Sequence, residues 1–234
     1  MNPVEQNLAN WRTSLMPRIS IAGLLSRNPI AYKWNAPFRC WMLREAVLWR
    51  ITDLLTQSYA LHQQGHGLGA QILLRSAIET LATLIYLNQT TAQVLEGKLN
   101  FHLFGEKTSI LLGGSRDGST KFAALNIVTV LGKCDKRYNG LLKLYGFLSE
   151  SAHPNHKGLC IGYSKFDHDA NEANFSNRWM ELYGGRHLDA MEMYMGLFQY
   201  EYSDVWPGMI VKLESWIVEN DAHLEATKGT PLAR

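Results

Sequence analysis

The sequence predicts an all-α protein, a helical bundle of four or more long helices preceded by a helical N-terminal arm. Three observations carry this expectation. Apolar residues recur at the three- and four-residue spacing of a helix over most of the chain. Proline and glycine stay out of the strongest of these stretches and collect between them. Only Ile161 and Tyr163 suggest a strand, and a short one. With 234 residues, 46% hydrophobic and 19% charged, the chain is long enough for a substantial core and too apolar for intrinsic disorder. It is expected to form one domain: an N-terminal arm over 1–40, a helical bundle over 41–226 and a flexible tail over 227–234.

Each element follows from its residues. Pro3, Pro17, Pro29 and Pro37 break up residues 1–38, which should hold one or two short helices. From Trp41 to Gln64 no proline or glycine intervenes, and Leu48, Ile51, Leu55 and Tyr59 recur at helical spacing before Gly65 and Gly67. The segment Leu68–Leu87 is apolar around most of its circumference, as a central bundle helix should be. Thr90 or Thr91 can cap a further helix running to Phe104. Gly113–Ser119 reads as a loop. Helical spacing resumes at Thr120 through Ala124, Ile127, Val128 and Leu131, and again at Leu141, Leu142, Tyr145 and Leu148 after a break at Asn139 and Gly140. Pro154 closes that helix, and Gly158–Ser176 is polar and irregular enough to be a long loop. From His187, the stripe Met191, Met195, Phe198, Tyr202, Met209, Leu213 and Trp216 predicts two helices or one helix kinked at Pro207 and Gly208. It serves either as core packing or as a dimer seam between C-terminal helices.

The net charge is +2, which excludes the strong positive field of a nucleic-acid packaging protein. Arg39, Arg44 and Arg50, like Lys133, Lys136, Arg137 and Lys143, are expected on solvated helix faces. Cys40, Cys134 and Cys160 are widely spaced and odd in number, which argues for a reducing cytoplasm rather than a disulfide framework. The N-terminus does not read as a secretory signal, and no apolar run is expected to be long enough to span a membrane.

Two segments carry candidate chemistry. In LLRSAIETLATLIYL, Arg75 and Glu79 lie four residues apart in the most apolar helix and therefore share a face. Because unpaired buried charge is costly, they must pair with each other, with another helix or with a ligand. In LSESAHPNHKG, His153 and His156 flank Pro154 at a helix end, where a histidine can either cap the helix dipole or exchange a proton near neutral pH. Ser149 lies four residues before His153. A metal reading of His153, His156, Cys160 and His168 is weak, because their spacing is unlike compact zinc patterns. No cofactor is expected, since GxxxxGK[ST], GxGxxG, HExxH and GxSxG are all missing.

On Arg75, Ser76 and Glu79, followed by Ser149, His153 and Pro154, the chain resembles a bacterial family of all-helical domains that pair an LLRSxxE-type central helix with a later LSxxxHP-type helix end. The resemblance covers residues 48–158. More distantly it is similar to the HEPN superfamily of helical bundles. That resemblance implies a toxin or antiviral-defence protein: a dimeric, metal-independent ribonuclease acting on RNA, with an antitoxin or defence-system protein as partner. HEPN nucleases carry an arginine a few residues before a histidine, and none of the eight histidines here has one at that spacing. In the nuclease reading, Arg75 therefore comes from another helix to bind the phosphate, His153 handles the ribose hydroxyl proton and Glu79 orients one of them. Ser149, His156 and Lys157 then contact substrate. The alternative is a non-catalytic interaction or scaffold protein in which the same polar residues form a buried structural network.

Overall fold

Helices dominate because nearly every stretch of helical periodicity has partners to bury its apolar side. The structure, a computed structural model, describes residues 2–229, so 230–234 of the expected tail lie outside the described residues. Among these it is all-α, with ten α-helices, three π-helical segments and two short strand pairs. The arm holds three helices rather than one or two: α1 (Pro3–Ser14), α2 (Ile21–Arg27) and α3 (Pro29–Tyr32). Proline does not break α3 because Pro29 occupies its first turn, where no backbone donor is needed, and the Asn28 side chain accepts from the Ala31 amide at 3.0 Å.

Two long helices follow, α4 (Asn35–Gln63) and α5 (Gly67–Leu95). Gly65, at φ +80°, takes the left-handed turn between them. α5 runs well past the expected end at Leu87. Thr90 and Thr91 cap nothing; their hydroxyls bond back to the Tyr86 and Leu87 carbonyls inside the helix. The next helix, α6 (Phe101–Gly113), is capped instead by Asn100, which accepts from the His102 amide at 2.8 Å. α5 also corrects the expectation that no segment is long enough to span a membrane. By length and composition it qualifies, at a mean hydropathy of 1.3, although 56% of that window is buried by the rest of the chain.

Beyond α6, β1 (Gly114–Ser115) pairs in parallel with β2 (Phe122–Ala123), so helix resumes only at α7 (Ile127–Asp135) and not at Thr120. Gly140, at φ +97°, precedes α8 (Leu141–Ala152), whose first turn is capped by Asp135, its Oδ1 accepting from the Gly140 and Leu142 amides at 3.0 Å. The expected long loop over 158–176 is structured. It contains a π-helical segment, His156–Ile161, and an antiparallel hairpin of β3 (Ser164–Asp167) and β4 (Glu172–Phe175). Asp167 Oδ1 accepts from the Asp169 and Ala170 amides at 3.0 Å, and Asn171 supplies the left-handed residue at φ 55°. A π segment at Met180–Gly184 leads into α9 (Gly185–Gln199), and another at Tyr200–Val205 joins it to α10 (Trp206–Ala226). The C-terminal stripe is therefore interrupted before Pro207 by a π segment, and its members Met191, Met195, Phe198 and Leu213 are fully enclosed.

The chain forms two compact units. The first comprises the chain through Ser14, Leu48–Leu81 and Leu131–Leu197; the second comprises Leu15–Val47, Ala82–Val130 and the chain from Phe198 onward. The first unit's core includes Trp11, Ile51, Leu55, Leu74, Ile78 and Trp179. The second's includes Tyr32, Ile85, Phe104, Trp206 and Ile217. In the second unit Glu214 accepts from Arg27 and from the Tyr32 hydroxyl, which burial and this carboxylate together hold far above its ordinary pKa.

Candidate functional site

The site lies in the first unit, where α5 and α8 each present a polar pair at helical spacing. Arg75 and Glu79 stand one turn apart on α5, and Tyr145 and Ser149 stand one turn apart on α8. The four side chains close into a single cluster. Arg75 Nε donates to Ser149 Oγ at 2.9 Å, and Nη2 donates to Tyr145 Oη at 2.8 Å. The Tyr145 hydroxyl in turn donates a hydrogen bond to Glu79 Oε1 at 2.9 Å, and Glu79 lies 3.2 Å from Arg75 Nη2. The Tyr145 ring centroid is also 5.1 Å from the guanidinium carbon. At 24% and 26% side-chain exposure the two charges are neither solvated nor enclosed. An exposed ion pair contributes at most about 1 kcal/mol. Here the hydrogen bonds to charged groups are the larger effect, each worth about 1.5–3 kcal/mol.

The end of α8 is arranged differently. His153 is its C-cap, in extended conformation at φ −96° and ψ 146°, and its carbonyl accepts from the Asn155 amide at 2.8 Å. The imidazole is exposed and makes no hydrogen bond among the described residues. His156 opens the π segment and is likewise exposed and unbonded. Lys157 folds back on the helix: Nζ donates to the Phe147 carbonyl at 2.9 Å and sits 3.2 Å from the Phe147 ring centroid. That places an ammonium at the negative end of the α8 dipole. Partial burial pulls its pKa below the ordinary lysine value, against the opposing pull of Glu150. Of the six expected residues, then, Arg75, Glu79 and Ser149 are brought together. His153 and His156 stand outside that cluster, and Lys157 is engaged elsewhere.

Tyr145, read from the sequence only as part of a helical stripe, is the hub. Its one signal was the spacing to Ser149, which matches Arg75 to Glu79. A second cluster in the same unit had no sequence signal. Ser58 on α4 is fully buried; its Oγ lies 2.8 Å from the Ala70 carbonyl and 3.0 Å from His187 Nε2. Ser58 and His187 are thus hydrogen-bond partners inside the unit, and the tautomer of the imidazole decides which of them donates. Burial first, and the neighbouring His62 second, push the His187 pKa down from 6.5 to about 4. The His62 ring stacks on His187 at 5.0 Å, its Nε2 lies 2.9 Å from the Gly184 carbonyl, and its Nδ1 is buried without a partner.

The arginines expected on solvated faces are held by the fold. Arg39 donates to Thr108 Oγ1 and the Gly105 carbonyl, both at 3.0 Å. Arg44 lies 3.5 Å from the Tyr202 ring centroid and 4.6 Å from that of Trp206, and pairs with Glu45. Arg50 Nε donates to Thr80 at 3.2 Å. Their spacing along α4 was legible, but what each would meet was not. Among the described residues no three His, Cys, Asp or Glu side chains are grouped to hold a metal ion. His153, His156, Cys160 and His168 are not brought together, and His168 packs on Phe166 at 4.8 Å in the hairpin. The chain matches no protein-family model, no curated protein and no solved structure.

Proposed function

We propose that the chain is a non-catalytic interaction or scaffold protein in which Arg75, Glu79, Tyr145 and Ser149 clamp α8 onto α5. The observation that carries this reading is the occupancy of the Arg75 guanidinium: Nε is bonded to Ser149, and Nη2 to Tyr145 and Glu79. An arginine that must leave these partners to receive a phosphate loses on one side much of what it gains on the other. Among the described residues His153 likewise lacks the hydrogen bond that orients a catalytic imidazole. A cytoplasmic location belongs to the same proposal and rests on the three free cysteines. The test uses purified wild type, R75M and H153A, each incubated with total RNA and unfolded thermally. No RNA cleavage by any of them, with a lowered midpoint for R75M alone, is expected. Cleavage by wild type that H153A abolishes at an unchanged midpoint overturns the proposal.

One observation favours the second reading, a metal-independent ribonuclease of toxin or antiviral-defence type. Arg75 Nη1 has no hydrogen bond among the described residues, and the side chain is 24% exposed, so one edge of the guanidinium remains reachable. In this reading that edge takes the scissile phosphate of RNA and His153, at the end of the partner helix, exchanges the ribose hydroxyl proton. Induced expression of wild type and H153A, scored for growth arrest and RNA integrity, decides it. Arrest by wild type alone is the result this reading needs, and equal behaviour of the two removes it.

A further inference from the structure

The first unit contains a cavity of about 390 Å³ between α5, α8 and the start of α9, a size within the range of small-molecule sites. Its walls are largely apolar, with Leu74 from α5, Leu144 and Leu148 from α8, and Leu182. Phe147 and Tyr183, packed edge to face at 5.6 Å, add a flat aromatic surface.

Against this apolar lining stand a few polar groups. Gln71, one turn before Arg75 on α5, is only 4% exposed and lines the cavity, yet its Oε1 is buried with no hydrogen-bond partner. Neither end of its amide is bonded among the described residues, so exchanging the two ends would not relieve it. A buried polar group left in this state costs about 1–3 kcal/mol. In a cavity of this size, that is the mark of a partner that arrives from outside the chain. His187 also lines the cavity with its Nε2 already committed to Ser58. Arg186 lines it as well, is exposed, and makes no ion pair among the described residues. No aspartate or glutamate lines the cavity, and Lys157 lies behind its aromatic wall, 5.0 Å from the Tyr183 ring centroid. Arg186 is therefore the one charged side chain among the described residues lining the cavity.

We propose that this cavity binds a small carboxylic acid with an aromatic or similarly flat apolar body, its carboxylate on Arg186 and a polar substituent on the Gln71 amide. The apolar body displaces water from the leucine and aromatic walls, and the guanidinium receives the acid in a fork of two parallel hydrogen bonds. This site is separate from the Arg75 cluster, and its occupancy does not depend on whether that cluster is structural or catalytic.

The test titrates the full chain with naphthylacetate and, as the uncharged counterpart, naphthylethanol, both followed by calorimetry. Saturable one-to-one binding of the acid is expected, with the alcohol weaker by about tenfold, the worth of one charge-assisted contact. R186E should weaken the acid by at least about the same factor and leave the alcohol unchanged. A190F, which fills the cavity from α9, should abolish binding of both. If circular dichroism shows that A190F does not fold, L144W fills the same space from α8 and takes its place. Absence of saturable binding by folded wild type, equal affinity for acid and alcohol, or acid binding indifferent to R186E would each overturn the proposal; the first result would mean the cavity holds only water.

Discussion

Replacing His187 by glutamine should flatten the acid limb of this protein's stability. The imidazole is 4% exposed, hydrogen-bonds with Ser58 and stacks on His62. Protonation would put a charge where water cannot reach it, beside a second ring that can also carry one, and burial followed by His62 holds the pKa near 4 against an ordinary 6.5. The unfolded chain therefore takes up this proton first as pH falls. Stability is complete above about pH 6.5, declines between there and about pH 4, and changes no further from this residue below that. The gap of roughly 2.5 units at 1.36 kcal/mol per unit corresponds to about 3 kcal/mol in all, of which about 2 kcal/mol is lost by about pH 5. Glutamine can donate to or accept from Ser58 and does not titrate. Urea unfolding of wild type and H187Q at pH 7.5 and pH 5, at fixed ionic strength, isolates the effect, because every other titrating group is common to both chains. Wild type should lose about 2 kcal/mol more than H187Q over that interval. An equal loss in the two proteins would mean that His187 is not held neutral by its burial.

Three further outcomes follow from the same geometry. Y145F removes both hydrogen bonds at the hub and should cost about 1–3 kcal/mol in urea unfolding; combined with R75M its cost should fall well short of additive, and simple additivity would show that the two residues do not share a network. Two glycine-to-alanine changes should move the melting temperature in opposite directions: G158A lowers it, because a Cβ there collides with the His153 carbonyl, whereas G146A within α8 meets nothing within 4 Å and raises it by relieving glycine's entropic cost. N100A should cost about 1 kcal/mol by releasing the first-turn amides of α6, and a neutral result would assign that cap to water.

The helical character of the chain was legible because periodicity is local: each of α4, α5, α8 and α10 needs only its own residues to declare an apolar face. Where local rules compete, they misled. Thr90 and Thr91 are good cap residues, yet burial on every side of α5 carries the helix through them, and their hydroxyls fall back on its own carbonyls. The β3–β4 hairpin escaped notice because SKFD and EANF are short, mostly exposed and almost without apolar alternation. The signal that could have found it is turn chemistry, Asp167 and Asn171, rather than strand pattern. Four of the arginines and lysines singled out for chemistry or for solvent, Arg39, Arg44, Arg50 and Lys157, proved to be held by carbonyls, hydroxyls or rings that other segments supply.

From its sequence alone, this protein was determined to be helical, with opposite charges one turn apart in its most apolar helix and histidines at the end of a later one. That much follows from spacing along one strand of covalent structure. Tertiary structure decided the partners: Tyr145 and Ser149 for Arg75, no hydrogen-bond partner for His153 among the described residues, and Ser58 for His187 across 129 residues of chain. Hydrogen bonds and burial depend on which faces meet. No residue carries in its own neighbourhood the identity of the side chain that folding will place 3 Å away.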